Sequence, residues 1–107
     1  GPIKAWADVI AERRRQVAVE GWSAEHDDLH DGGALAQAAS CYAWHAGIGD
    51  DWRRLASLPN RWPWAAGWWK PKDRRADLVR SGALILAEIE RLDRLETRDS
   101  AEGASRA

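Results

Sequence analysis

The sequence contains no phenylalanine, no methionine and a single cysteine, Cys41. One cysteine cannot form a disulfide within the chain, which excludes a disulfide-held scaffold and favours a reducing, cytoplasmic setting. No apolar run approaches the roughly 20 residues of a membrane-spanning helix. The chain also has no large excess of positive or negative charge, since 16 basic and 17 acidic residues give a net charge of −1. This balance argues against a surface built to bind nucleic acid.

In place of the missing aromatic residues the chain carries eight tryptophans, and four of them fall in the segment 61–70, RWPWAAGWWK. A chain of 107 residues forms one domain, in which each large apolar side chain contributes substantially to the core. The segment is therefore either a cover that completes a small core or a surface that stacks on a flat ligand.

Apolar residues recur at helical spacing in the segments 5–20, 34–46 and 73–96, and no segment alternates with the period of a strand. The sequence therefore predicts an all-α fold, a small helical bundle with an irregular Trp-rich loop segment. The small residues of the second helix favour close approach of another helix, with Cys41 buried as a small apolar residue. The expected inward faces are Trp6, Ile10 and Val17 on the first helix and Leu78, Ile85, Ile89 and Leu92 on the last.

Residues 3–96 are expected to form the single helical domain, after Gly1-Pro2, which resembles a cleavage remnant. The segment 97–107 has few apolar residues and is predicted to be a flexible tail. Between the second and third long helices, prolines and Gly67 interrupt any long element. A short helical turn is predicted at 50–58, with Asp50 or Asp51 as its N-cap.

The polar segment EHDDLH, residues 25–30, offers carboxylates and imidazoles of the kind that bind ligands or metals. Its spacing matches no closed zinc motif. Three interpretations remain open, namely a solvated loop with an Asp or His that caps the next helix, a ligand contact, and a metal site. Ser23, with His26 and Asp27 nearby, is the candidate cap of a short turn here. The candidate ligand-binding residues here are Trp22, His26, Asp28 and His30.

The run RWPWAAGWWKPKDRR, residues 61–75, combines indole faces with cations at the start of the last helix. Indoles stack on bases, whereas lysine and arginine bind phosphate. We expect Trp64 and Trp68 to act as cover for the core. Trp62 and Trp69 are the candidates for stacking, with Lys70, Arg74 and Arg75 as phosphate ligands.

A second basic run, Arg13–Arg15, falls on the expected solvent face of the first helix. The alternative is that one of these arginines turns inward and meets the acidic segment or a phosphate.

Two long stretches together resemble a small-protein family that tailed phages and prophages encode. They are ERRRQVAVEGWSAEHDDLHDGGALAQAASCYA and, after it, WPW…WWKP…RRADLVRSGALILAEIERLDR, which cover most of residues 9–94. The stretch EGWSAEHDDLHDGGAL is also similar, in its Gly-Trp, Asp and His positions, to the ryanodine-receptor-type repeat of some bacterial defence-linked proteins. The resemblance to the phage family implies a protein that works in the cytoplasm of a bacterial host cell.

More distantly, the same frame resembles phage MazG-like proteins, which are all-α, magnesium-dependent nucleoside-triphosphate pyrophosphohydrolases and usually oligomers. Their ER.RQ element matches Glu12-Arg13 and Arg15-Gln16, and their closing helix resembles residues 75–94. Their Glu-Glu-x-x-Glu pattern is replaced here by DGGALAQAAS, which keeps only Asp31. Ser81 stands where a second carboxylate after Asp77 is expected.

These patterns lead to one hypothesis and two alternatives. The first is a phage-encoded accessory protein that binds and sequesters a nucleotide-derived small molecule, without metal or cofactor, as an anti-defence sponge. The second is a MazG-like hydrolase in which magnesium is held by a rearranged set of carboxylates, Glu25, Asp27, Asp28 and Asp77. The third is an inhibitor that binds a host protein through the Trp-rich segment. A homo-oligomer is expected in each case, with neither membrane nor nucleic acid as partner.

Overall fold

The computed structural model describes residues 2–29 and 32–106. Over these residues it contains helices and no strand, so the predicted all-α fold is confirmed. A single 3-10 turn, Ala66–Trp68, lies in the Trp-rich segment. The α-helices are α1 (Pro2–Ala18), α2 (Ala24–Asp28), α3 (Ala34–Gly47), α4 (Asp50–Leu55) and α5 (Arg74–Arg106).

Helix α5 is central because α1, α2 and α3 all pack against it. Small residues stand where the helices meet. The Ser81 hydroxyl donates to the Ala39 carbonyl of α3 across 2.7 Å. A Cβ added at Gly82 would lie only 3.2 Å from a methyl group of Val9, so glycine lets α1 approach α5 closely. The close approach expected from the small residues of α3 is therefore confirmed.

The core lies between α3, α5 and the Trp-rich segment, which covers it. Trp62 from that segment is buried, and Trp22, Trp64 and Trp69 pack around it. Cys41 is buried as predicted, and burial raises the pKa of its thiol above the ordinary value. The core residues are Leu35, Ala38, Ala39, Cys41, Tyr42, Trp62, Leu84 and Ala87.

The inward faces of the long helices differ from the predicted ones. On α1, Trp6 is 69% exposed, whereas Gln16 is fully buried. Apolar periodicity assigns the buried face of a helix to its apolar residues. It misidentified these faces because polar side chains with hydrogen-bond or ion-pair partners are buried here instead. On α5 the buried positions include Asp77, Ser81, Leu84, Ala87 and Arg91, and the half-exposed ones are the predicted core residues Leu78, Ile85, Ile89 and Leu92.

Two helix boundaries also differ from the sequence prediction. Helix α5 continues through the segment 97–106, which was expected to be a flexible tail. That segment contains no proline, and its two alanines, two arginines and one glutamate favour helix even where there is no core to pack against. The N-cap of α4 is Gly49, so Asp50 and Asp51 lie in the first turn instead of capping it.

The buried carboxylate of Asp77 connects α3, α4, α5 and the loop between the last two. His45 of α3 donates from Nδ1 to Oδ2 across 2.7 Å, and the backbone N–H of Lys72 donates to Oδ1 across 2.7 Å. Arg53 of α4 lies 3.5 Å from Oδ2 and donates to the Lys72 carbonyl at 2.6 Å. Because Asp77 is 1% exposed, water cannot replace these partners.

We expect the substitution Asp77→Ala to reduce the free energy of unfolding by about 3–5 kcal/mol, because it leaves buried donors and a nearby arginine without their acceptor. Urea unfolding followed by circular dichroism measures this loss. The control Asp51→Ala removes an exposed carboxylate of α4, which pairs with the exposed Arg54, and should change stability little. Equal effects of the two substitutions would contradict a central role for Asp77.

Candidate aromatic binding site

Four aromatic side chains surround a cavity of about 440 Å³ beside the Trp-rich segment. Trp22 and His26 come from the α1–α2 region, and Trp64 and Trp68 from the Trp-rich segment. Glu20 and Ala65 complete the wall. We call this cavity the aromatic pocket.

Local turns bring the first two rings of the aromatic pocket together. Gly21 has φ +73°, a left-handed conformation that glycine adopts readily, and it redirects the chain at the end of α1. The Ser23 hydroxyl then accepts from the backbone N–H of His26 at 3.2 Å, which confirms the predicted cap of α2. The rings of Trp22 and His26 lie parallel, at 3° and with centroids 6.1 Å apart.

The Trp-rich segment supplies the opposite side of the pocket. The rings of Trp64 and Trp68 lie 5.6 and 6.3 Å from Trp22, tilted by 54° and 50°. Trp68 is 48% exposed. The three indoles therefore surround the space from different directions, and one of them borders solvent.

The other two tryptophans of the segment, the expected stacking candidates, pack in the core. Trp64 lines the pocket and also packs against the core as expected, whereas Trp68, the other expected cover residue, is half-exposed at the pocket. Trp62 is 8% exposed, packs edge-on against Tyr42 at 5.7 Å and donates from its indole N–H to the Ala65 carbonyl at 3.1 Å. Trp69 packs on Tyr42 at 4.7 Å and on His45 at 5.6 Å. Neither ring is a separate stacking platform.

Sequence reasoning missed Trp64, Trp68 and Glu20 as pocket residues. Trp68 and Trp69 are adjacent and chemically identical, and the 3-10 turn Ala66–Trp68 directs one towards the pocket and the other towards the core. The interruption by Pro63 and Gly67 indicated a turn in this segment, but no residue type indicated which indole faces inward.

A charged network connects the pocket wall to the interior of the bundle. Arg15 donates to Glu20 Oε1 at 2.9 Å and to both carboxylate oxygens of Glu12 at 2.7 and 2.8 Å. Burial raises the pKa of Glu12, but the hydrogen bond from Arg15 and the charges of Arg15 and Arg80 lower it further, so the net shift is downward. Hydrogen bonding to Glu12 and Glu20 raises the pKa of Arg15. The charged Arg15 side chain therefore holds the Glu20 carboxylate in place.

Of the expected phosphate ligands, only Lys70 borders the aromatic residues of the pocket. Its ammonium lies 5.7 Å from the centroid of the Trp68 ring. Arg74 pairs with Asp50 at 3.1 Å and Arg75 with Asp8 at 2.8 Å. Successive residues of a helix point about 100° apart, so these two arginines reach carboxylates on different helices and do not converge.

The acidic segment is largely neutralised by arginines. Arg13 turns inward and donates to the fully buried Asp27 at 2.8 Å, which confirms the inward alternative for one arginine of the run Arg13–Arg15. Asp28 binds Arg94 of α5 at 2.8 Å, and this hydrogen bond lowers the pKa of the Asp28 carboxyl. Asp28 therefore does not join His26 at the aromatic pocket, and His30 lies outside the described residues.

Over residues 2–29 and 32–106, no group of three His, Cys, Asp or Glu side chains lies close enough together to hold a metal ion. Asp27, Asp28 and Asp77, the carboxylates considered for a magnesium site, bind Arg13, Arg94 and His45 respectively. They are held apart by these separate partners.

A second and larger cavity of about 770 Å³ lies between α3, α4 and the chain that follows α4. Its lining is mostly apolar and includes the exposed Trp52 and Leu55 and the half-exposed Trp44. It does not contain any of the expected site residues.

No protein-family model matches this chain, and neither a curated protein nor a solved structure is similar to it at a significant level. Along the described parts of the sequence, no helix is both long and apolar enough to cross a membrane.

The lowered pKa of Glu12 predicts a stability that depends on pH. Glu12 binds protons more weakly in the folded chain, so its stabilising effect is complete above the ordinary pKa of 4.5 and is lost as pH falls through the lower folded value. We expect Glu12→Gln to cost about 1–3 kcal/mol at pH 7, because it weakens the network around Arg15. It should cost progressively less as pH falls below 4.5.

Urea unfolding across this pH range measures the difference. Glu25→Gln, which removes an exposed carboxylate, reports the effect of losing any negative charge. A cost of Glu12→Gln that stays constant down to the acid limit would contradict the prediction.

Proposed function

We propose that the protein binds a nucleotide-derived small molecule and does not alter it chemically, with the base held in the aromatic pocket. The observation that carries this proposal is the convergence of Trp22, Trp64, Trp68 and His26 on one cavity. Indole faces stack on any base, with about 1–3 kcal/mol per stacked base. A volume of about 440 Å³ is enough for a base with part of its sugar.

The polar group of the pocket favours guanine as the base. Among the described residues that line the pocket, Glu20 is the one with a charged side chain. Arg15 binds its Oε1 atom and leaves Oε2 outside that ion pair. Guanine presents two neighbouring donors, N1–H and the N2 amino group, which a carboxylate can accept side by side. Adenine has a single amino group and an acceptor at that edge, so its pairing with Glu20 would be poorer.

The phosphate part of such a ligand would lie outside the pocket, near Lys70. The Lys70 ammonium over the Trp68 ring is the cation next to the exposed rim. A ligand whose base stacks on Trp68 would place its sugar towards solvent and its phosphate within reach of this flexible side chain.

The side-chain pairings favour binding over hydrolysis. A MazG-like reaction needs several carboxylates that converge on magnesium. Asp77 uses both oxygens for His45 and Lys72, and Asp28 binds Arg94. In the phage setting that the sequence resemblance implies, such a binder would sequester a nucleotide signal of the host cell's defence.

Isothermal titration with guanosine and adenosine monophosphates tests this proposal. We expect guanosine monophosphate to bind about tenfold or more tightly than adenosine monophosphate, because a site built for donor groups rejects a base that lacks them. Trp68→Ala should weaken both ligands by about tenfold, since it removes a stacking face. Trp52→Ala, which removes an exposed indole outside the pocket, is the matched control.

Glu20→Gln should reduce the preference for guanine and retain stacking on the indoles. Equal affinity for the two nucleotides would overturn the assignment of guanine as the base, but not the proposed binding of a nucleotide. Absence of binding by a panel of mononucleotides, cyclic dinucleotides and ADP-ribose would overturn the proposed function. Release of pyrophosphate from nucleoside triphosphates with magnesium, lost in Asp28→Asn, would establish the hydrolase instead.

A further inference from the structure

Helix α5 carries an apolar stripe that the monomer leaves half-exposed. Leu78, Ile85, Ile89 and Leu92 are each 48–50% exposed. Their spacing of seven, four and three residues places them on one face of the helix. These four aliphatic side chains lie on one helix face in partial contact with water and form an apolar stripe that association would bury.

Opposite charges lie at the two ends of this stripe. Arg74 precedes Leu78 by four residues, and Glu96 follows Leu92 by four residues, so both share the face of the apolar side chains. Both side chains are exposed. Arg74 also pairs with Asp50, but that carboxylate is itself 84% exposed, so this ion pair is weak and exchangeable.

Three of the four stripe residues are symmetric about Ile85, whereas the position that mirrors Ile89 is the buried Ser81. Leu78 and Leu92 each lie seven residues from Ile85, and Arg74 and Glu96 each lie eleven residues from it. When such a helix meets an identical one in the opposite direction, each leucine faces the other leucine and each arginine faces a glutamate.

We propose that α5 pairs with α5 of a second copy of this chain, antiparallel and with the two-fold axis at Ile85. Ile85 then contacts its own counterpart, Leu78 contacts Leu92 of the second copy, and Arg74 pairs with Glu96 of the second copy. Each of the unlike contacts occurs twice, as an isologous interface requires. A parallel pairing would place like charges together at both ends, which is repulsive.

Helix α1 supplies the additional area that a stable dimer needs. Specific interfaces bury about 800 Å² on each partner, more than the stripe of α5 provides by itself. Ile3 and Trp6 of α1 are 75% and 69% exposed and share a face with Ile10 and Val17. α1 runs in the same direction as α5, since Asp8 pairs with Arg75 and Arg13 lies 3.7 Å from Glu90. The helical repeat then turns both apolar faces to one side of the α1–α5 pair.

Cysteine cross-linking distinguishes the proposed geometry from other arrangements. Under mild oxidation, Ile85→Cys should form a covalent dimer by itself. Leu78→Cys and Leu92→Cys should remain uncross-linked when separate and should cross-link to each other when mixed. The unsubstituted chain is the control, because Cys41 is buried. Cross-linking of Leu78→Cys with itself would overturn the antiparallel arrangement.

The oligomeric state tests the interface without cross-linking. By analytical ultracentrifugation we expect a dimer for the unsubstituted chain and a monomer for Ile85→Glu, with unchanged helix content by circular dichroism because this position is half-exposed. Trp6→Ala should weaken the dimer. A monomeric unsubstituted chain at its highest soluble concentration would overturn the proposal.

Charge reversal tests the ends of the stripe. Glu96→Arg should raise the dimer Kd about tenfold, because two attractive pairs become repulsive. Combining it with Arg74→Glu should restore affinity, since the charges are then exchanged between the partners. Glu102→Arg makes the same change of charge beyond the paired segment and should leave the Kd unchanged. Failure of the double variant to recover would overturn the pairing of Arg74 with Glu96.

Discussion

The buried carboxylate of Asp77 is the interaction on which the arrangement of this small domain depends. It connects three helices and the loop that precedes α5 through His45, Arg53 and Lys72. With 107 residues and a core in which three of the eight residues are alanine, the chain has little apolar area to hold an irregular segment in place. A satisfied polar network at the start of α5 supplies that constraint.

The Trp-rich segment has two roles, which its residues divide among themselves. Trp62 and Trp69 complete the core, Trp68 faces the aromatic pocket, and Trp64 contributes to both. The ring contacts between Trp64 and Trp62, at 5.4 Å, connect the two sets. The pocket is therefore built on the outer surface of the core and does not depend on a separate loop for its shape. Preorganisation of this kind favours binding, because little ordering remains when a ligand enters.

The sequence predicted the helices well and their faces poorly. Apolar spacing identified α1, α3 and α5 because helix periodicity survives whichever side is buried. It misassigned the inward sides because Arg13 and Asp27 are buried together, whereas Ile85 and its neighbours are half-exposed. For the site, the sequence singled out Trp22 and His26, which line the pocket, because both lie in or beside the polar segment that follows α1. The choice between Trp68 and Trp69 depends on the direction of one 3-10 turn, which residue type does not determine.

The position of the pocket on the core has a thermodynamic consequence. Trp68 is joined by backbone to Trp69, which packs on Tyr42 and His45, and the Lys70 N–H donates to the Tyr42 hydroxyl at 3.2 Å. Unfolding of the segment would thus remove the pocket and part of the core together. A molecule that binds the aromatic pocket of the folded chain alone shifts the equilibrium towards that state, so occupancy and the free energy of unfolding are coupled quantities.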